Sequence, residues 1–131
     1  MTTSQSLRLL VLTLCLAGLF IGLVSATSLD GVDGVLAHIT PAGTMQVLQH
    51  VAQPFPPELR ASLLSLNQSG PDELHRAALA ANALARCCAE VVHKLLHGAG
   101  RKAAEVIAIG AHGQTVRHQP LLQIGRASCR E

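Results

Sequence analysis

Sixteen consecutive uncharged residues, Leu9 to Val24, run straight into the small polar segment Ser25–Gly31 and then into a second apolar stretch, Val32–Thr40. A run this apolar must leave water, so the chain has few options. Arg8 ahead of it and Val24-Ser25-Ala26 behind it have the form of a secretory signal peptide cleaved near Ala26. The run is short for a membrane span. The rival reading makes Phe20–Val24 a buried strand behind an apolar extension, residues 1–19. That strand pairs with Val32–Thr40 as a hairpin across the polar turn.

Cysteine usage gives no support to an oxidising compartment. Cys15 would leave with a signal peptide, and Cys129 lies in an atypical tail. Cys87 and Cys88 are adjacent, a spacing that strains a disulfide, and read as inert thiols on a helix. With 131 residues there is room for one domain at most, and 49% apolar against 14% charged residues excludes a disordered chain. Phe20 and Phe55 are the only aromatics, so no base-stacking surface is expected. The net charge of +2 is too small for a phosphate-backbone footprint.

Further along, Met45–Val51 reads as a third strand with Met45, Val47 and Val51 on one face, and Gln53–Pro57 as a loop. Pro57 suits the first turn of a short helix carrying Leu59, Leu63, Leu64 and Leu66. Pro71 opens the longest element. Leu74, Ala78, Ala81, Ala85, Cys88, Val92 and Leu95 recur at helical spacing, and Gly98 and Gly100 supply its stop. Val106–Ile109 reads as a strand buried on both sides, Gly110–Thr115 as a turn at its end, and 116–125 as a further short strand pair. The class is α/β with a mixed sheet.

Two turns have the composition of binding sites. Ser25–Asp33 combines hydroxyls, Gly31 and the carboxylates of Asp30 and Asp33 between two strands. Such a turn cradles phosphate oxygens on its backbone N–H groups, or Asp30-Gly31 serves turn geometry alone. It has no P-loop pattern. In Gly110–Thr115, His112 and Gln114 stand at the carboxyl end of a strand, where open α/β sheets bind ligands, or His112 is simply a polar residue of a glycine-rich turn. His93 and His97 lie one turn apart on the helix without a third zinc ligand.

Residues 21–36, I-G-L-V-S-A-T-S-L-D-G-V-D-G-V-L, resemble the amino-terminal signature of anhydro-N-acetylmuramic acid kinases. Residues 108–118, A-I-G-A-H-G-Q-T-V-R-H, resemble the second signature of that family, and Leu122-Gln123-Ile124-Gly125 and Pro54–Arg60 also fit it. The resemblance covers about residues 20–125. It implies a partial amino-terminal lobe of the actin-like ATPase fold shared by sugar kinases and Hsp70. It implies ATP and Mg²⁺ as cofactors, with Ala26, Thr27, Ser28, Leu29, Asp30, Gly31, Val32 and Asp33 as the ATP-phosphate loop. Asp30 would hold Mg²⁺ through water, and His112 and Gln114 would line the sugar site. The implied reaction opens the 1,6-anhydro ring of anhydro-N-acetylmuramic acid with water and phosphorylates its 6-oxygen, in the bacterial cytoplasm. The implied partners are the sugar and ATP, with no nucleic acid and no membrane, and a homodimer for the full-length protein.

There are departures. Ala26, Val24 and Ala111 replace the glycine, methionine and serine of the signatures. The family's catalytic base belongs to a later motif with no counterpart here, so no catalytic residue is assigned and the chain is expected to be inactive alone. Residues 126–131 leave the family pattern. Ile124–Glu131 reads as translated sequencing-adapter DNA, so this tail is expected to be foreign. The two other readings are a small exported protein with a cleaved signal peptide and a non-catalytic ATP-binding module.

Overall fold

A computed structural model describes residues 17–25 and 28–117. Four strands form one sheet in the order β3-β2-β1-β4. β1 (Gly18–Ser25), β2 (Gly31–Ile39) and β3 (Met45–Pro54) are a meander of antiparallel neighbours. β4 (Val106–His112) returns parallel to β1 after two helices, α1 (Pro57–Ser65) and α2 (Glu73–Ala99). A parallel pair needs a crossover of this kind, because a tight turn only reverses the chain. The central strand β1 is therefore the end of the apolar run that opens the sequence. The positions of Leu9–Leu16 and of the pair at 116–125 lie wholly or largely outside the described residues.

Alternation along β1 and β2 sorts the two faces of the sheet. Leu19, Ile21, Leu23, Val32 and Leu36 are buried on the helix side. Both helices pack there, joining Leu59, Leu63, Leu66, Val91 and Leu95 to one core with Phe55. Gly34 lets α2 come close: a Cβ there would overlap Val91 and stand 3.0 Å from Leu95 Cδ1. The opposite face carries Val24, Asp33, His50 and Gly110 around a shallow groove.

Several elements differ from expectation, each for a physical reason. The buried stripe of α2 runs through Ala80, Cys87, Val91 and Leu95, with Ala77 and Leu84 partly buried beside it. Leu74, chosen to anchor the stripe, is 90% exposed, and Ala78, Ala81 and Ala85 are exposed with it. The amino-terminal half of α2 has alanine on most sides, so spacing alone does not fix its orientation. α2 starts at Glu73, and Gly100 (φ 62°) alone caps its end, with Gly98 inside the helix.

β4 is not buried. Ile107 and Ile109 are about half exposed, because β4 is the edge strand of the described sheet, while Val106 at its start packs against the core. It also extends through Ala111 and His112, beyond the expected turn boundary at Gly110. Gln53 and Pro54, expected in a loop, end β3, where an edge position tolerates proline. A bulge between Leu36 and Ala37 in the β2–β3 pairing breaks the expected face of β3. Met45 and Val47 are exposed, while Leu48 and Val51 pack on the core. Cys87 and Cys88 are free thiols, and burial pushes both upward in pKa, which keeps them protonated and unreactive at neutral pH.

Candidate functional site

Because β1 and β4 are parallel, the turns that follow them leave the sheet at the same edge. The register sets Val24 beside His112, and Asp33 beside Val24 on the other side. Asp33, Val24 and His112 thus form one row across the face away from the helices. The turns are also joined directly. The Ser25 hydroxyl, with its residue 4% exposed, donates to Oε1 of Gln114, whose Nε2 lies 3.3 Å from the Thr115 carbonyl. A buried hydroxyl needs such a partner, so this bond holds the second turn against the end of β1.

Within the first turn the expected residues play unequal parts. Ala26 and Thr27 lie outside the described residues. Ser28 and Asp30 are exposed. Leu29 adopts left-handed geometry (φ 57°) and buries its side chain in the core. Val32 is fully buried, so of the expected phosphate-loop residues it supports the turn from beneath. Gly31 opens β2 against β3: a Cβ there would overlap the Gln53 carbonyl oxygen. Asp33 points away from the helices and pairs with His50 Nε2 at 3.4 Å, both well exposed. On the second turn, His112 is exposed and Gln114 is partly buried.

Sequence reasoning missed the residues that hold these turns. The Phe55 N–H donates to the Asp30 carbonyl at 3.0 Å, and Arg60 Nε donates to the Leu29 carbonyl at 3.2 Å. Both belong to the Pro54–Arg60 segment, whose fit to the family was the one available signal. Arg117 lies one residue before the end of the second signature. Its backbone N–H donates to Asn67 Oδ1 at 3.0 Å, and its guanidinium pairs with Glu73 at the start of α2.

That pairing, reinforced by the Gly70 N–H, holds the Glu73 carboxyl below its ordinary value of 4.5. A carboxyl lowered by folding stabilises the fold above its unfolded pKa, and this is lost as pH falls through the folded value. Glu73→Gln should therefore lower the thermal midpoint at pH 7, with the difference from the native chain closing below about pH 4. Melting curves at both pH values test this, and an equal deficit at pH 3 would refute it.

As to a metal, no group of three or more His, Cys, Asp or Glu is arranged to hold an ion among the described residues. One exposed carboxylate, Asp30, stands at the turn. No helix among the described residues is long and apolar enough to cross a membrane.

A mixed sheet whose first hairpin turn and fourth-strand turn meet at one edge, with the helices on one face, is consistent with a partial sugar-kinase, actin-like ATPase fold. The sequence profile of one family, anhydro-N-acetylmuramic acid kinase, matches residues 18–128. Proteins of that name are 60% identical over 104 residues in Bordetella petrii, 57% over 102 in Variovorax paradoxus and 56% over 105 in Albidiferax ferrireducens. The matches take in 79%, 78% and 80% of this chain but 28%, 27% and 27% of those proteins. This chain belongs to the anhydro-N-acetylmuramic acid kinase family, a family of phosphotransferases. It spans little more than a quarter of the length of the curated relatives it matches.

Proposed function

We propose that the chain is the nucleotide-phosphate-binding part of an ATP-dependent kinase of 1,6-anhydro-N-acetylmuramic acid. In the complete enzyme water adds at the anomeric carbon as the bond to the bridging oxygen breaks. The γ-phosphoryl group passes to the 6-oxygen, giving N-acetylmuramic acid 6-phosphate and ADP for peptidoglycan recycling in the cytoplasm. The single observation that carries this reading is the Ser25–Gln114 bond, which joins the two signature turns at one sheet edge.

In this reading the turn 26–33 receives the ATP phosphates on backbone N–H groups and hydroxyls. Asp30 would hold Mg²⁺ through water, and the ion would supply charge neutralisation at the phosphates. His112 and Gln114 hydrogen-bond the sugar. No general base is assigned within residues 1–131, so the chain alone has no turnover. Export is the weaker reading, because cleavage near Ala26 would take β1 out of the middle of the sheet and strip both β2 and β4 of a partner.

Calorimetric titration of the chain with Mg·ATP should give saturable binding, and incubation with Mg·ATP and 1,6-anhydro-N-acetylmuramic acid should release no N-acetylmuramic acid 6-phosphate. Ala26→Gly should bind about tenfold tighter, about 1.4 kcal/mol, because it removes a methyl group from a turn that phosphate must approach closely. Absence of ATP binding in both proteins would refute the proposal.

A further inference from the structure

The described part of the phosphate turn is held by Phe55, which links β3 to α1, and by Arg60 in the first turn of α1. Leu29 stands in left-handed geometry, which is strained for a residue with a side chain, and its burial ties the strain to the core. Arg60 Nε donates to the Leu29 carbonyl at 3.2 Å, and the Phe55 N–H donates to the next carbonyl, that of Asp30, at 3.0 Å. The donors are stiffly mounted. Pro54, Pro56 and Pro57 restrict the backbone around Phe55. Phe55 and Leu59 are buried, and the Arg60 N–H is itself tied to the Pro56 carbonyl at 3.0 Å.

In a planar trans peptide the N–H points opposite to the preceding carbonyl. A clamp that draws the Leu29 carbonyl toward α1 therefore aims the Asp30 N–H away from α1. An N–H fixed in this way costs no reordering when an anion arrives.

We infer that Arg60 is a positioning residue of the phosphate turn, acting through its Nε bond to the Leu29 carbonyl rather than through its charge. This rests on the nucleotide reading above, and the test separates the two. Arg60→Met keeps much of the aliphatic stem and removes both donor and charge. Arg60→Lys keeps the charge and moves the donor off the guanidinium geometry.

In the ligand-free chain, Arg60→Met should speed hydrogen exchange at the Phe55 amide about tenfold, because its acceptor loosens with the turn. Mg·ATP binding should weaken about tenfold in both variants, by the same factor at 50 and 300 mM KCl, with an unchanged KCl dependence. Ser62→Ala, on the same helix, should change neither quantity.

Unchanged exchange at Phe55 in both variants would overturn the clamp. So would a loss of binding confined to Arg60→Met that shrinks with salt, which marks a purely electrostatic role. Accelerated exchange in a chain whose native form binds no ATP upholds the clamp and overturns the nucleotide reading instead. Should Arg60→Met fail to fold, the exchange and salt measurements on Arg60→Lys decide alone.

Discussion

Gly31→Ala should destabilise the chain by about 3 kcal/mol, the upper part of the range for overpacking a filled site. The Cβ would overlap the Gln53 carbonyl oxygen, lie 2.8 Å from the Gln53 carbonyl carbon and 2.9 Å from Pro54 Cα. These are backbone atoms of the paired strand, so no rotamer change relieves them. β2 must instead move away from β3 at the Gly31–Pro54 pair, carrying with it the Asp30 carbonyl that Phe55 holds. Stability and ATP affinity should therefore fall together. Gly110→Ala is the control. Nothing lies within 4 Å of its Cβ position, so it should stay within about 0.5 kcal/mol of the native chain. Urea unfolding of the three proteins measures the difference, and coincident midpoints for Gly31→Ala and the native chain would sink the argument.

The second large effect lies where α2 crosses the sheet. Leu95 is fully buried, and Leu95→Ala should cost about 3 kcal/mol for lost burial and the cavity left behind. Gly34→Ala, on the strand beneath, should cost about 2 kcal/mol, because its methyl meets Val91 and Leu95. The double variant should cost about 1 kcal/mol less than the sum, since the added methyl enters space that the shortened side chain vacates. A double-mutant cycle by urea unfolding reads this coupling directly, and strict additivity would show that the two groups do not share that space.

Much of the scaffold was legible in the residues themselves. The apolar blocks 20–24 and 32–40, separated by a segment rich in small polar residues, gave the hairpin. Pro57 and Pro71 marked the approach to each helix, and Gly100 the end of the second. The face of α2 was not legible, because its amino-terminal half presents alanine on several sides, and Cys87, Val91 and Leu95 further along mark the buried stripe. The exposure of β4 was not legible either. V-I-A-I reads as an interior strand, and its position at the edge depends on which strands pair.

For the site, both turns could be picked out by composition. Their meeting could not, since Ser25 and Gln114 are 89 residues apart and obey no local pattern. The Arg60 clamp spans 31 residues to a carbonyl, and a carbonyl acceptor carries no side-chain identity to read.

The parallel pairing of β1 and β4 also gives the two halves of the site different entropic origins. The first turn is closed by strands that follow one another directly, with Ser25 opposite Val32. The second reaches Ser25 only after the chain has made an 89-residue excursion. By the logarithmic law of ring closure, bringing those ends together costs about 2 kcal/mol more in chain entropy than closing the hairpin. One side of the pocket is thus secured by its own neighbourhood in the sequence. The other is kept in place by everything that lies between.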